Sequence, residues 1–270
     1  MEVRVSARVI ALCNQKGGVG KTVTTYHLAR AAVRRGLRVL VIDADPQGNL
    51  TASAAGDDVA ADDIGLADVL SSRAPETLSD VIVPGIWDGL SVVPTTGIEL
   101  AAVRDELITA GAGREMRLRE ALAPLLADYD LVLIDCAPSL DQLTVNALTA
   151  ADAVLIISQA KLYSLNGLDA LLTTISSVRS YYNADLRVAG IIVNLYNPRT
   201  ISARGWLDEL TTAAQGRGLS VFEPIMNNRV VIADASEAAR GLDEWGSSDA
   251  RELADVYDAY LTATLEGANA

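Results

Sequence analysis

Lys16-Gly17-Gly18-Val19-Gly20-Lys21-Thr22 stands just behind the apolar run Val9-Ile10-Ala11-Leu12-Cys13 and just ahead of a stretch with helical periodicity. A strand, a glycine-rich loop and a helix in that order form the core of a phosphate-binding site. Gly17, Gly18 and Gly20 let the backbone curl around an anion. The N–H groups of Gly17 to Val23 and the start of the following helix then point at phosphate oxygens. Lys21 meets the outer phosphates, and Thr22 supplies a hydroxyl for Mg²⁺.

The usual spacing, glycine followed five positions later by Gly-Lys-Ser/Thr, fails because Gln15 occupies the first glycine position. A second lysine, Lys16, opens the loop instead. This is the deviant Walker A form, and in it the chain resembles the ParA/MinD family of ATPases, whose signature is that extra lysine. Val23 departs from the family pattern.

The chain has 270 residues, half of them apolar, which is enough for one sizeable core. The expected organisation is a short leader over 1–8, one α/β domain over 9–265 with a mostly parallel sheet and helices on both faces, and a tail over 266–270. With 22 basic and 35 acidic residues the net charge is −13, which excludes a uniformly basic nucleic-acid surface and leaves a local patch open. The lysines are Lys16, Lys21 and Lys161, so two of them lie in the loop. No apolar run spans a membrane and no signal-peptide core precedes the first strand, which predicts a cytoplasmic protein. Cys13 and Cys136 sit in apolar strand contexts without C-x-x-C spacing and read as buried thiols.

The helix after the loop is expected over Lys21 to Arg35, with Gly36 as its stop and His27 as a structural residue. Arg38 to Ile42 reads as a buried parallel strand delivering Asp43-Ala44-Asp45-Pro46-Gln47-Gly48-Asn49 to the ligand-binding edge. Asp and Gly also suit plain turns. The stretch resembles the second ParA signature, which implies that Asp45 positions the attacking water and Asp43 lies on the Mg²⁺ side. Tyr129 to Asp135 is a strand ending in a carboxylate that can hold the Mg²⁺ shell, a Walker B pattern, and Cys136 to Leu140 resembles the family's switch segment.

Residues 56–80, with Asp57, Asp58, Asp62, Asp63, Asp68, Glu76 and Asp80, read as a solvated excursion. Leu90 to Pro94 is a strand, Glu115 to Ala127 a helix with a kink at Pro124, Asp152 to Ser158 a strand, Leu165 to Tyr182 a helix and Leu186 to Val193 a strand. Lys161 to Gly167 resembles a cross-dimer contact segment, with Asn166 in place of the family's glutamate. Asn194 either reads an adenine, as the resemblance implies, or forms a turn. Pro224 to Arg229 resembles a second base-contacting loop, with Met226 where proline is usual. Arg199 and Arg229 are either non-specific DNA contacts, as in ParA-type proteins, or solvated arginines.

The C-terminal helix, Asp249 to Leu265, lacks the basic face of a membrane-surface helix, which opposes a MinD-like division-site regulator. The placement of the cysteines opposes an iron–sulfur reductase of the nitrogenase iron protein kind. The resemblance implies an ATP- and Mg²⁺-dependent homodimer that binds DNA, associates with the nucleoid, keeps off membranes and works with a ParB-type centromere-binding partner in plasmid or chromosome partition. It also implies that Lys16 acts catalytically, across the dimer, on the partner subunit's phosphates.

Overall fold

Runs of valine, isoleucine and leucine with no polar break cannot face water on either side, so they form strands covered on both faces. A computed structural model describes residues 6–55, 59–162 and 164–269. Among these, the strands are β1 (Arg8–Cys13), β2 (Val39–Ala44), β3 (Val83–Pro84), β4 (Leu90–Val93), β5 (Leu131–Cys136), β6 (Ala153–Gln159) and β7 (Arg187–Asn194). They make one sheet in the order β3-β4-β2-β5-β1-β6-β7, parallel except for β3 against β4. The helices are α1 (Lys21–Arg34), α2 (Asn49–Ala54), α3 (Leu66–Leu70), α4 (Leu78–Val81), α5 (Glu99–Thr109) and α6 (Arg117–Leu122). They continue with α7 (Gln142–Ala150), α8 (Ser164–Tyr181), α9 (Ile201–Gln215), α10 (Val230–Glu237) and α11 (Ser248–Gly267).

Alternation along each strand sorts the core into two layers. Val9, Ala11 and Cys13 join Leu40, Ile42, Val132 and Ile134 under α5 to α9, through residues such as Leu118, Leu143 and Leu171. Ile10 and Leu12 join Val39, Val41, Leu131 and Leu133 under α1, α2, α10 and α11, through Tyr26, Leu28, Leu50, Ala235 and Tyr257. Each fully buried Leu or Ile contributes about 1.5–3 kcal/mol, so the two layers fix the sheet between its helices.

Several expected boundaries shift by a residue or two. Helix α1 ends with Gly36 at φ 78°, where the N–H of Gly36 donates to Val33 O and that of Leu37 to Ala32 O, the paired bonds of a Schellman stop. Pro124 lies in a 3-10 turn after α6, so the expected kink is an end. Helix α11 reaches Gly267, which lies against the Ala189 backbone where a side chain would collide.

The excursion expected over 56–80 is corrected. Leu66, Ala67 and Leu70 of α3 and Leu78 and Val81 of α4 are buried in the core. Two of the acidic residues that read as solvated loop are helix caps: Asp68 accepts from Gly65 N at 2.8 Å, and Asp80 from Thr77 N at 2.8 Å and Thr77 Oγ1 at 2.6 Å. Asp57 and Asp58 lie outside the described residues.

Candidate nucleotide site

Because β1 pairs with β5 on one side and β6 on the other, the loop after β1 opens where the chain's path across the sheet changes direction, the usual ligand crevice of such sheets. The loop is tied from several elements. Asn14 donates to Ile157 O at 2.5 Å and accepts from Lys16 N at 2.9 Å, while Gln159 at the tip of β6 donates to Gly18 O at 2.8 Å. Gly20 has φ 84°, and a Cβ there would stand 3.0 Å from the Asn194 amide, so both the turn and the close approach require glycine.

The two loop lysines differ in exposure. Lys21 is only 6 % exposed and its Nζ lies 3.5 Å from Lys16 O. The Lys16 side chain is exposed, and its ammonium has no hydrogen bond or ion pair among the described residues.

Asp135 is the last residue but one of β5, behind the loop, and both its oxygens are used. Oδ2 accepts from Thr22 Oγ1 at 2.6 Å and Oδ1 from Thr25 Oγ1 at 3.1 Å. Asp43 is its neighbour in register on β2, and both carboxylates are fully buried. Asp43 accepts from Thr51 N and Oγ1 at 2.8 Å each and from Asp45 N at 3.3 Å, while Thr95 Oγ1 donates to its carbonyl. Burial pushes Asp43 up to about 6. Burial, then the charge of Asp43, pushes Asp135 up to about 7, against the opposing pull of Thr22, Lys21 and Thr25. Two adjacent buried carboxylates beside a hydroxyl call for a proton or a hard cation, and Thr22 with Asp135 is the oxygen donor set that Mg²⁺ takes. The residues therefore fit the metal.

Asp45 is 8 % exposed and follows β2 directly. Its Oδ1 accepts from Gln47 N at 3.0 Å, and its Oδ2 has no hydrogen bond among the described residues. Asn194 ends β7 and is buried. Its amide donates to Thr24 Oγ1 at 2.9 Å and Val19 O at 3.2 Å, while Oδ1 has no partner among the described residues. It lines a cavity of about 250 Å³ with Val23, Leu195, Met226, Asn227 and Ile232. Met226 N donates to Val193 O, which seats the 224–229 loop against β7.

The remaining candidates lie farther out. Arg199 is exposed, and its guanidinium has no partner among the described residues; Arg229 is exposed and ion-paired to Asp249. Asn166 is exposed at the start of α8, and the segment around it includes Tyr163, outside the described residues.

Sequence reading missed Thr25, Thr51, Thr95, Asn14 and Gln159. Thr25 carried a signal, since three positions after Thr22 on a helix places its hydroxyl over the same carboxylate. Asn14 also carried a local signal, as a turn-forming residue two positions before Lys16, whereas Thr95 and Gln159 act across the sheet and had none. His27 is structural, as expected: its Nε2–H donates to Ile232 O at 2.9 Å, and burial holds the ring down to about 4.

A strand, a glycine-rich loop with Lys21 and Thr22, and strand-end carboxylates on two adjacent strands define a P-loop nucleoside triphosphatase, and Lys16 marks its deviant Walker A class. Residues 7–188 match the AAA domain family. The chain is 41 % identical to the chromosome-partitioning ATPase Soj of Thermus thermophilus over 236 residues, 86 % of each chain. It is 44 % identical to the chromosome partitioning protein ParA of Caulobacter vibrioides over 194 residues, 71 % of each. Among solved structures it is similar to cobyrinic acid a,c-diamide synthase of Mycobacterium smegmatis with bound ATP analogue and magnesium. That likeness has a TM-score of 0.74 at 35 % identity and covers 92 % of this chain and 93 % of that one. The chain belongs to the AAA domain family and, within it, to the ParA/Soj branch of partition ATPases. Among the described residues, no helix is long and apolar enough to cross a membrane.

Proposed function

We propose that this chain binds and hydrolyses ATP with Mg²⁺ as a dimerisation switch that holds DNA without sequence preference and serves DNA partition in the cytoplasm, on the nucleoid, with a ParB-type partner. Lys21 and the N–H groups of Gly17 to Val23 take the phosphates. Thr22 and Asp135 would hold Mg²⁺, with Asp43 adding charge beside them, and the ion would supply positive charge against the phosphates. Asp45 orients the attacking water through Oδ2, which has no hydrogen bond among the described residues. The cavity beside Asn194 takes the base, with Asn194 Oδ1 as its polar contact.

The observation that carries the switch is Lys16. Its backbone belongs to the loop, yet its ammonium is exposed and has no partner among the described residues, which suits a charge delivered to the partner subunit's phosphates. Arg199 and Arg229, exposed near the same edge, supply DNA phosphate contacts.

The test is retention on duplex DNA of arbitrary sequence with ATP, with ADP and without nucleotide, run beside sizing chromatography. ATP should produce both dimer and retention. Retention that ignores nucleotide, or a monomer that turns over ATP at the same rate at every concentration, would overturn the switch.

A further inference from the structure

Cys13 ends β1 and Cys136 ends β5, one residue past the paired Leu12 and Asp135. Both are free thiols, each 1 % exposed, and their sulfurs lie 3.2 Å apart. A disulfide needs sulfurs at about 2.05 Å and Cα atoms about 4.4–6.8 Å apart, and adjacent strands stand about 4.8 Å apart. Closing the bond therefore takes about 1 Å of approach and no change in strand pairing.

The pair lies in the aliphatic layer, away from α1, and nothing assigned to the nucleotide site uses either sulfur. Its neighbours along the chain are that site. Cys13 precedes Asn14, whose side chain anchors the loop to β6, and Cys136 follows Asp135, which holds Thr22 at 2.6 Å.

We infer that Cys13 and Cys136 form an oxidisable dithiol: a peroxide joins them, and the bridge reversibly weakens nucleotide binding by shifting the tips of β1 and β5. One thiolate attacks a peroxide oxygen, the O–O bond breaks, and with one proton taken up the first water leaves a sulfenic acid. The second thiol attacks that sulfur, the S–O bond breaks and a second water leaves, so two thiols give up two electrons and hydrogen peroxide becomes two waters. Because the thiols are buried, the reaction proceeds through local opening of the loop edge. Packed strand tips cannot absorb the approach independently, so part of it passes to Asn14 and Asp135, the residues adjoining Cys13 and Cys136, which anchor the loop and Thr22. In a reducing compartment the bridge would be transient, as redox-sensing disulfides are.

The effect on nucleotide rests on the nucleotide site described above; the bridge itself does not. The full chain is reduced, treated with hydrogen peroxide, and divided. One portion is denatured in an alkylating reagent for intact mass and peptide mapping. The other is titrated with a fluorescent ATP analogue before oxidation, after it, and after dithiothreitol.

The expected result is loss of the mass of two hydrogens, a Cys13–Cys136 cross-linked peptide, and affinity at least ten-fold weaker that dithiothreitol restores. Cys13→Ala and Cys136→Ala, checked for folding by circular dichroism, should keep their affinity in peroxide. Two alkylatable thiols, oxygen added to one sulfur, or a bridged protein with undiminished affinity would each overturn the inference in the wild-type chain alone. A bridge that forms in a chain whose reduced form binds no analogue would support the dithiol and reject the nucleotide reading.

Discussion

At the tips of β2 and β5 the buried carboxylates are bonded by hydroxyls: Asp135 by Thr22 and Thr25, Asp43 by Thr51. At the tip of β7 the terms differ. Asn194 donates to Val19 and Thr24 while its oxygen has no partner among the described residues, beside a cavity lined by Val23, Leu195, Met226 and Ile232. The first region is organised for concentrated charge, and its groups are held before any ligand arrives. The second is an apolar slot with one polar edge, which suits the flat ring proposed for it. Changes at the first should therefore act on turnover, and changes at the second on selectivity and stability.

The largest effect is expected from Lys16 and Asp45. On the roles proposed above, Lys16→Ala and Asp45→Ala should each lower kcat by roughly 10³-fold or more, one by removing charge from the transferring phosphoryl group and the other by removing the group that orients water. Asp45→Ala should still bind ATP and accumulate as dimer on sizing chromatography. Mixed, half of randomly paired dimers carry one site with both groups, so phosphate release should recover to about a quarter of wild type at most. If heterodimers are demonstrated and nothing recovers, Lys16 acts within its own loop.

The same contrast explains what could be read in advance. Lys16 to Thr22, Asp43 to Asp45 and Asp135 were legible because each is a contiguous motif at the end of an apolar run, and the parallel sheet follows from those runs. The bracing was not: Thr95 and Gln159 meet the site only through pairings between elements distant in sequence, and Thr51 reaches Asp43 only because α2 folds back on the end of β2. Residues 56–80 misled because acidic side chains that cap helices, Asp68 and Asp80, share their composition with solvated loops. Beyond Asn194 the site's contacts come from loops without periodicity, and α9, a 15-residue helix whose apolar face is legible in the sequence, went unread along with the shorter α10.

A matched pair of substitutions sharpens the comparison. Thr25→Val keeps shape but leaves Asp135 Oδ1 without its hydroxyl; Asn194→Ala strips donors from Val19 O and Thr24. Each should cost about 1–3 kcal/mol of stability in urea titration, the penalty of an unpaired buried group. They should part in function, with Thr25→Val lowering kcat while keeping preference for ATP over GTP and Asn194→Ala relaxing that preference with kcat nearly kept. The reverse pattern would dissolve the division between the two edges.

Acid should loosen the second region first. His27 joins α1 to Ile232 of α10, on the cavity wall, and burial holds its folded value at about 4, below the ordinary histidine value of 6.5. The unfolded chain thus takes up the proton first. The contribution is complete above about pH 6.5 and is lost as pH falls toward 4, reaching about 2 kcal/mol at pH 5. His27→Gln, which can still donate to Ile232 O, should remove that part of the slope when urea midpoints at pH 7.5 and 5 are compared. An unchanged slope would place the acid sensitivity elsewhere.

The smallest effect separates the two arginines proposed to touch DNA. Arg199 has a guanidinium without partners among the described residues, whereas Arg229 is ion-paired to Asp249 in the first turn of α11. Both members of that pair are nearly half exposed, so the pair is worth at most about 1 kcal/mol, and a DNA phosphate competing for Arg229 must displace Asp249. Arg199→Glu should therefore weaken ATP-dependent retention and flatten the log–log salt slope by about 0.9, as one phosphate contact is lost. Arg229→Glu should do less, since part of its gain on binding is already offset by Asp249. Asp249→Asn should tighten retention by up to about five-fold, because it frees Arg229 and removes a negative charge near the phosphates, while ATP affinity stays as in wild type. The carboxylate also stabilises the start of α11 by about 0.3–1 kcal/mol, so the thermal midpoint is measured alongside. If Asp249→Asn leaves retention unchanged while Arg229→Glu is as damaging as Arg199→Glu, the ion pair imposes no cost on binding and Arg229 reaches DNA in another conformation.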